Sequence, residues 1–284
     1  MPYKVIIIGA KGMLGKELVR EFKTDCEVLA WDMQEIYITN REMVMKKIKK
    51  EDPDVVINSA AYNAVDKAEE DEGYEVAYKV NALGPENLAE ASKKVGAIFA
   101  TYTSDYVFDG KKKEGYKEDE KVLPISKYGL SKVEGEKRVQ SFGGDYYIIR
   151  TSKLFGKEGE GENVKKSFIT VMRELAEKMP EIKVVDEEVS CFTYTKDLAE
   201  ATKFLLLGNY PPGIYHIVNG GPCTWFGCAK MLFEKLNKKV KLIPVSSSEF
   251  PRPAQRPGFS VLINTKLPPL RSFEEALTEF LKEK

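Results

Sequence analysis

The sequence predicts an α/β protein with a doubly wound parallel sheet and a smaller C-terminal lobe. Residues 5–8 form a continuous apolar β-branched run, which is typical of a strand buried on both faces. A glycine-rich turn follows this run directly, and apolar residues then recur at helical spacing over 13–22. Strand and helix patterns go on alternating along the chain, and such alternation indicates a parallel sheet with helices on both faces.

The period of the apolar residues predicts each later element in turn. After strand 5–8 and helix 13–22 we expect strand 28–31, helix 41–50, strand 54–57, a helix over about 75–95 and strand 97–102. The pattern continues with helix 128–139, strand 146–150, helix 165–178, strand 183–185 and helix 197–207.

The chain changes character at residues 208–213, where Gly-Asn-Tyr-Pro-Pro-Gly is a cluster of turn formers. Beyond it we expect strand 214–218, helix 225–236, strand 240–245, a proline-containing loop over 250–258 and a final helix over 273–282. These shorter elements predict the smaller lobe.

The amino-acid composition argues against several classes of function. The 44 Lys and Arg residues balance 44 Asp and Glu residues, which argues against a nucleic-acid or anionic-membrane partner. Four scattered cysteines suit a reducing cytosol, and no apolar stretch approaches the roughly 18 residues that a membrane span requires. His216 is the one histidine, so a zinc site with two histidines is excluded, and we expect no metal.

The turn after the first strand has glycines at positions 9, 12 and 15. In a Rossmann-type fold, glycines there permit a tight turn, let the backbone approach a pyrophosphate and let the helix pack on the sheet. Asp32 ends the second predicted strand, where a carboxylate accepts hydrogen bonds from an adenosine ribose. This pattern predicts a dinucleotide site.

Tyr128 and Lys132 stand four residues apart at the start of a predicted helix, so their side chains share one face. We expect the nearby ammonium to lower the pKa of the phenol and so ease proton exchange at neutral pH. Ser104 follows strand 97–102 at the edge of the sheet where open α/β folds bind ligands. Beside a dinucleotide turn, these three residues predict a catalytic site.

Several longer segments of the sequence resemble those of a known protein family. They are Asn-Ser-Ala-Ala-Tyr-Asn-Ala-Val-Asp-Lys-Ala-Glu at 58–69, Asn-Ala at 81–82, Thr-Ser-Asp-Tyr-Val-Phe-Asp-Gly at 103–110, Arg-Thr-Ser at 150–152, Gly-Ile-Tyr-His-Ile at 213–217 and Arg-Pro at 256–257. With the glycine turn and Tyr-Gly-Leu-Ser-Lys at 128–132, the sequence resembles the extended short-chain dehydrogenase/reductases. Within them it is similar, nearly from end to end, to the dTDP-4-dehydrorhamnose reductase family.

The resemblance implies a role for each site residue. Tyr128 would donate the proton, Lys132 would support it, and Ser104 would polarise the substrate carbonyl. An NADPH or NADH cofactor would contact Gly9, Lys11, Gly12, Met13, Leu14, Gly15, Asp32, Ile38, Ala61, Tyr62, Asn63, Tyr102, Tyr128 and Lys132. The substrate would meet Ser104, Asp105, Lys153 and Arg256, with Lys153 standing where the family usually carries tryptophan.

The implied activity is NAD(P)H-dependent reduction of the 4-keto group of a nucleotide-activated deoxysugar, with dTDP-4-dehydro-L-rhamnose becoming dTDP-L-rhamnose. We expect a cytoplasmic enzyme, in the form of a homodimer. Residues 1–150, with 183–207 returning to them, would bind the dinucleotide, and residues 151–182 and 208–284 would bind the substrate. Two alternatives are a non-catalytic NADP-binding subunit resembling the methionine adenosyltransferase β subunit, and a reductase or epimerase acting on another nucleotide sugar.

Overall fold

The computed structural model describes residues 2–160 and 165–283. Its strands are β1 (Lys4–Ile8), β2 (Glu27–Trp31), β3 (Val55–Asn58), β4 (Ile98–Ser104), β5 (Tyr146–Thr151), β6 (Leu154–Phe155), β7 (Glu181–Val185), β8 (Thr193–Tyr194), β9 (Gly213–His216) and β10 (Lys241–Val245). Its α-helices are α1 (Met13–Phe22), α2 (Arg41–Glu51), α3 (Asp71–Tyr78), α4 (Gly84–Val95), α5 (Lys127–Phe142), α6 (Phe168–Ala176), α7 (Thr195–Leu207), α8 (Trp225–Lys235) and α9 (Phe273–Phe280).

Six strands form the larger sheet, in the order β2-β1-β3-β4-β5-β9, and every neighbouring pair is parallel. Ile7 of β1 pairs with Ala30 on one side and with Ile57 on the other. The β-branched run of β1 is almost fully buried, as a strand covered on both faces must be. The predicted fold class is therefore confirmed.

Apolar residues fill a layer on each face of this sheet. One layer packs Leu18 of α1 and Leu205 of α7 against Val5. The opposite layer packs Ile48 of α2 and Leu88 of α4 on the other face of β1 and β3. The alternate residues of β1 thus serve two cores, which is the property that makes the sheet doubly wound.

The smaller lobe has a core of its own. β7 pairs with β10 and β6 pairs with β8, each in a two-stranded parallel sheet. At the centre of this lobe the Phe273 ring stacks on Phe192, at a centroid distance of 5.1 Å, and meets Phe155 edge-on, at 5.5 Å. Side chains from α6, α8 and α9 complete the cluster.

Two strands lie on the other side of the expected division between the lobes. β9 joins the larger sheet through β5, where Ile149 pairs with Tyr215, although 208–284 was assigned to the substrate lobe. β7 lies in the smaller lobe, although 183–207 was expected to return to the dinucleotide-binding domain, whereas α7 from the same range packs on the larger sheet. A local apolar pattern predicts a strand but not its partner, because pairing depends on contacts distant in sequence. Residues 161–164 of the expected substrate lobe lie outside the described residues.

None of the helices in the described ranges has the length and apolarity that crossing a membrane requires. Within the same ranges, no group of His, Cys, Asp and Glu side chains converges as a metal site would require.

Candidate active site

The turn between β1 and α1 leaves no room for a side chain at Gly9 or at Gly15. Gly9 has a φ of 79°, and a Cβ on it would lie 2.7 Å from the backbone nitrogen of Ala60. A Cβ on Gly15 would lie 2.0 Å from the carbonyl oxygen of Gly9. Real Cβ atoms do not approach so closely, so the sequence requires glycine at both positions.

The N-terminus of helix α1 lies directly at the end of this turn. Gly12 is its N-cap residue and its first turn holds no acidic side chain, so its free N–H groups present positive potential. Met13 is half-buried, and Leu14 packs its side chain into the core, so Leu14 offers a ligand only its backbone. A bare glycine turn before a free helix N-terminus fits the pyrophosphate of a dinucleotide.

Asp32 directly follows β2 and is half-buried beside the turn. Its Oδ2 accepts a hydrogen bond from the backbone N–H of Lys11 at 3.0 Å, and its Oδ1 accepts one from Met33 N–H at 2.9 Å. Lys11 Nζ donates to Gln34 Oε1 at the exposed rim. The structure therefore brings Lys11 and Asp32 together at the end of β2.

The loop after β3 brings Ala61, Tyr62 and Asn63 to the same edge of the sheet. Asn81 holds this loop, because its Oδ1 accepts from Tyr62 N–H at 2.9 Å and its Nδ2 donates to Tyr62 O at 3.0 Å. Asn81 Nδ2 also donates to Ser131 Oγ on α5, at 3.0 Å. The asparagine thereby ties the loop to the helix that carries Tyr128.

Two of the proposed cofactor residues are built into the surrounding core. Ile38 is buried, and its side chain packs so closely that a Cβ on Gly84 would lie 2.6 Å from its Cδ1. The hydroxyl group of Tyr102 makes a hydrogen bond of 2.8 Å with Thr202 Oγ1 on α7, and burial raises the pKa of Tyr102.

Ser104 ends β4, and its hydroxyl is fixed by the residues that follow. Its Oγ donates to Asp105 Oδ1 at 3.0 Å and accepts from Tyr106 N–H at 3.2 Å. Asp105 is buried, and its Oδ2 accepts from Ser260 Oγ at 2.6 Å. Burial raises the pKa of Asp105, and the hydrogen bond from Ser260 opposes that shift.

Tyr128 lies in the first turn of α5 and points across the site. Its hydroxyl donates to Asn63 Oδ1 at 3.3 Å, and the Tyr106 ring packs edge-on against its ring at a centroid distance of 5.6 Å. Lys132 places Nζ 5.8 Å from the centroid of the same ring. Both side chains are buried.

The prediction that the pKa of Tyr128 is lowered is wrong, because the structure raises it. Burial raises it, and the Asp105 charge raises it further. Interaction with the Ser104 side chain opposes this rise without offsetting the effect of burial. Burial also lowers the pKa of Lys132 to about 8, against the opposing effect of Glu136. Tyr128 is therefore protonated at neutral pH, as a proton donor must be.

Lys153 follows β5 in a left-handed conformation, with a φ of 40°. Its Nζ lies 3.8 Å from the centroid of the Trp225 ring and 4.8 Å from that of Phe192, and it donates to Glu188 O at 3.2 Å. Burial lowers its pKa to about 8, and the charge of Asp105 opposes this most. The aromatic surface at this position thus comes from Trp225, on α8.

Arg256 lies on the loop before the C-terminal helix and binds Asp66, in the segment after β3. Its Nη1 and Nη2 each donate to one carboxylate oxygen of Asp66, both at 2.6 Å. Only 11% of the Arg256 side chain is exposed, against 41% of that of Asp66. This bidentate ion pair connects the two lobes at the rim of the site.

Sequence reasoning missed three contributors to the site. Asn81 belongs to a segment of the family resemblance, but no role was assigned to it. Ser260 and Glu188 carry no local signal, because each reaches the site from the smaller lobe through packing. Trp225, on α8, also lies outside the predicted set of site residues, and its ring lies against Lys153.

A glycine turn after the first strand of a parallel sheet, with Ser104, Tyr128 and Lys132 at the same edge, defines the class of short-chain dehydrogenase/reductases. Residues 3–284 match the family described as RmlD substrate binding domain.

Comparison with known proteins identifies the family within this class to which the chain belongs. The spore coat polysaccharide biosynthesis protein SpsK of Bacillus subtilis (strain 168) is 36% identical over 286 residues, which cover 99% of this chain and 98% of SpsK. The dTDP-4-dehydrorhamnose reductase of Burkholderia thailandensis is 32% identical over 280 residues, covering 93% of this chain and 91% of its own. The crystal structure of dTDP-4-dehydrorhamnose reductase from Bacillus anthracis str. Ames in complex with NADP covers 100% of both chains, with a TM-score of 0.94 and 36% identity. The chain belongs to the dTDP-4-dehydrorhamnose reductase family, as the resemblance predicted.

Proposed function

We propose that this chain is an oxidoreductase that uses NADPH or NADH to reduce the 4-keto group of dTDP-4-dehydro-L-rhamnose, giving dTDP-L-rhamnose. Membership of the family supports the substrate class. The observation that carries the proposal is the convergence of Ser104, Tyr128 and Lys132 at the edge of the sheet that also holds the glycine turn. The Tyr128 hydroxyl lies 3.3 Å from Asn63, in a segment expected to line the cofactor.

Two side chains, those of Tyr128 and Ser104, would act on the keto oxygen. The reduced nicotinamide, when bound, supplies a hydride to the keto carbon. Tyr128, held protonated by burial, donates its proton to the oxygen as negative charge develops there. Ser104 donates a hydrogen bond to the same oxygen, and Lys132 stabilises the phenolate that Tyr128 becomes.

The substrate would lie between the two lobes. Asp105 and Lys153 reach the site from the carboxyl ends of β4 and β5, and Arg256 lies at the rim, paired with Asp66. We propose that the larger sheet and its helices bind the dinucleotide while the lobe built on β7 and β10 covers the nucleotide sugar. Lys153 and Arg256 would offer positive charge to the substrate's diphosphate.

The test is to incubate the protein with NADPH and dTDP-4-dehydro-L-rhamnose and to follow nicotinamide absorbance, with the product identified by mass spectrometry. We expect oxidation of the cofactor and formation of dTDP-L-rhamnose. A UDP-linked 4-keto sugar serves as the matched comparison for the nucleobase. Absence of turnover with every keto sugar, together with tight NADP binding, would instead favour the non-catalytic alternative.

Two further expectations stay predictions: the cytoplasmic location and the homodimer. Size-exclusion chromatography with light scattering measures the second directly.

A further inference from the structure

A buried ion pair lies next to Lys132 and has no part in the reaction as proposed. Glu136 follows Lys132 by four residues on α5, so the two side chains lie on one face of the helix, one turn apart. Both are buried, with 2% of Glu136 and 4% of Lys132 exposed. Arg150 of β5 binds Glu136, and its side chain is only 2% exposed.

The Glu136 carboxylate makes three hydrogen bonds. Its Oε1 accepts from Thr103 Oγ1 at 2.7 Å and from Arg150 Nε at 2.9 Å. Its Oε2 accepts from Arg150 Nη2 at 2.6 Å. Thr103 directly precedes Ser104 on β4. The carboxylate therefore joins the strand that carries Ser104 to the helix that carries the proposed proton donor.

Arg150 is held in place from its other side. Its Nη1 donates to Glu118 O at 3.2 Å and lies 3.4 Å from His216 Nε2. His216 Nδ1 lies 3.1 Å from Ile263 O, so Nδ1 carries the proton and Nε2 accepts from Arg150. Burial lowers the pKa of His216 to about 4, and Arg150 adds to this effect. The guanidinium is thus fixed by a neutral histidine and by a backbone carbonyl.

We propose that Glu136 is a positioning residue for the reduction: fixed by Arg150 and Thr103, its carboxylate places a buried negative charge one helical turn from the Lys132 ammonium and holds α5 against β4. This inference rests on the proposed function. The charged and titratable groups beside Lys132 are Tyr128 and Glu136 on its own helix, with Arg150 of β5 bound to Glu136. Glu136 is the anion on its own helical face, and it opposes the lowering of the Lys132 pKa by burial.

The first test is the pH profile of Glu136→Gln, which keeps the shape of the side chain and removes its charge. Loss of the anion lowers the pKa of Lys132, and activity that needs the ammonium disappears as pH rises through that pKa. We expect the alkaline limb of the kcat profile to move to lower pH by about one unit, as loss of a neighbouring charge does. The matched control is Glu134→Gln on the same helix, whose carboxylate pairs with Lys137 at the surface, at 2.8 Å. That profile should not move.

A second variant guards against simple misfolding, because Glu136→Gln leaves the Arg150 charge buried without its partner. The double variant Glu136→Gln/Arg150→Met removes both charges, and it should move the limb in the same direction. A uniform fall of kcat at every pH with an unmoved limb would reduce Glu136 to a structural role and overturn the proposal.

A measurement without substrate separates this inference from the proposed function. Nitrogen-15 NMR titration of the Lys132 amine, assigned with a Lys132→Met sample, reports its charge directly. We expect a lower midpoint in Glu136→Gln than in the unmodified protein. An unmoved midpoint in an active enzyme overturns this inference alone. A shifted midpoint in a protein that does not reduce the keto sugar overturns the proposed function and leaves the coupling of Glu136 to Lys132 in place.

Discussion

Tyr128 carries the proton that the proposed reaction transfers to the keto oxygen. Burial raises the pKa of Tyr128, and its hydroxyl interacts with the Ser104 side chain and donates to Asn63 Oδ1 at 3.3 Å. Removing that hydroxyl in Tyr128→Phe should lower kcat by about 10²- to 10⁴-fold, the usual contribution of a positioned general acid. Cofactor Kd, followed by protein fluorescence, should stay nearly unchanged. Full turnover of the variant would show that another group donates the proton.

Lys153 places an ammonium group in a buried aromatic setting, against Trp225 and within hydrogen-bond distance of Glu188 O. If it contacts the nucleotide sugar, Lys153→Ala should raise KM for that substrate about 3- to 30-fold, the range of a charge-assisted contact. The increase should be larger at low ionic strength, because salt screens the attraction. KM for the cofactor should not change.

The control for this prediction is Lys157→Ala, which removes an exposed ammonium nearby in sequence that pairs with Glu283 at 3.5 Å. It should leave both KM values and their salt response as in the unmodified protein. If Lys153→Ala behaves like this control, Lys153 serves the packing of the lobe and not the substrate.

The first helix and its turn act as one unit, since Gly15 lets α1 rest on the turn that opens it. An added Cβ would lie 2.0 Å from Gly9 O and 2.8 Å from Ala10 Cα, both of them backbone atoms. Gly15→Ala should therefore destabilise the protein by about 1 to 3 kcal/mol and weaken cofactor binding roughly tenfold. Thermal unfolding and fluorescence titration measure the two effects.

Gly220→Ala is the matched control, because its Cβ would find its nearest neighbour at 3.9 Å, an ordinary contact distance. It should bind the cofactor normally. Normal cofactor affinity in Gly15→Ala as well would show that the turn does not form the pyrophosphate site.

The elements that could be predicted are those whose position depends on residues close together in the sequence. Helix 13–22 was predicted with its observed bounds, because a glycine turn and an apolar face fix both ends. The helix expected over 75–95 is a continuous helical run that begins earlier, at Asp71, and contains a π-helical turn over Lys79–Leu83 between α3 and α4. Asn81 lies in that turn and bonds to Tyr62 and to Ser131. Such contacts come from distant segments and leave no trace in local periodicity.

The site also has residues that the sequence could predict and contacts that it could not. Ser104, Tyr128 and Lys132 could be placed together from sequence, because parallel strands end at a common edge of the sheet. The hydrogen bond between Ser260 and Asp105 joins residues 155 positions apart, and the contact of Trp225 with Lys153 joins α8 to the segment after β5. These features depend on how the lobes pack. The direction of the Tyr128 pKa shift was missed for the same reason, since burial is a property of the folded chain.

A charged network ties the C-terminal helix to the larger sheet and makes the stability of the whole chain depend on pH. Arg271 donates to both oxygens of Asp197 on α7, at 2.6 and 2.9 Å, and to Glu279 on α9. Lys196 also donates to Glu279. Hydrogen bonds from Arg271 and then Lys196 lower the pKa of Glu279 from 4.5 to about 2. Because this pKa is lower in the folded chain, Glu279 stabilises the fold fully above pH 4.5 and loses that effect as pH falls towards 2.

Glu279→Gln should therefore lower Tm at pH 7 by about 1 to 3 °C, a modest change because the network is partly exposed. At pH 3 the difference from the unmodified protein should be smaller, since acid has already weakened the ion pairs. The control is Glu274→Gln on the same helix, whose carboxylate pairs with Lys235 and is 63% exposed. Calorimetry of the three proteins at both pH values measures the effect, and an equal loss at pH 7 and pH 3 would show that Glu279 acts through shape and not charge.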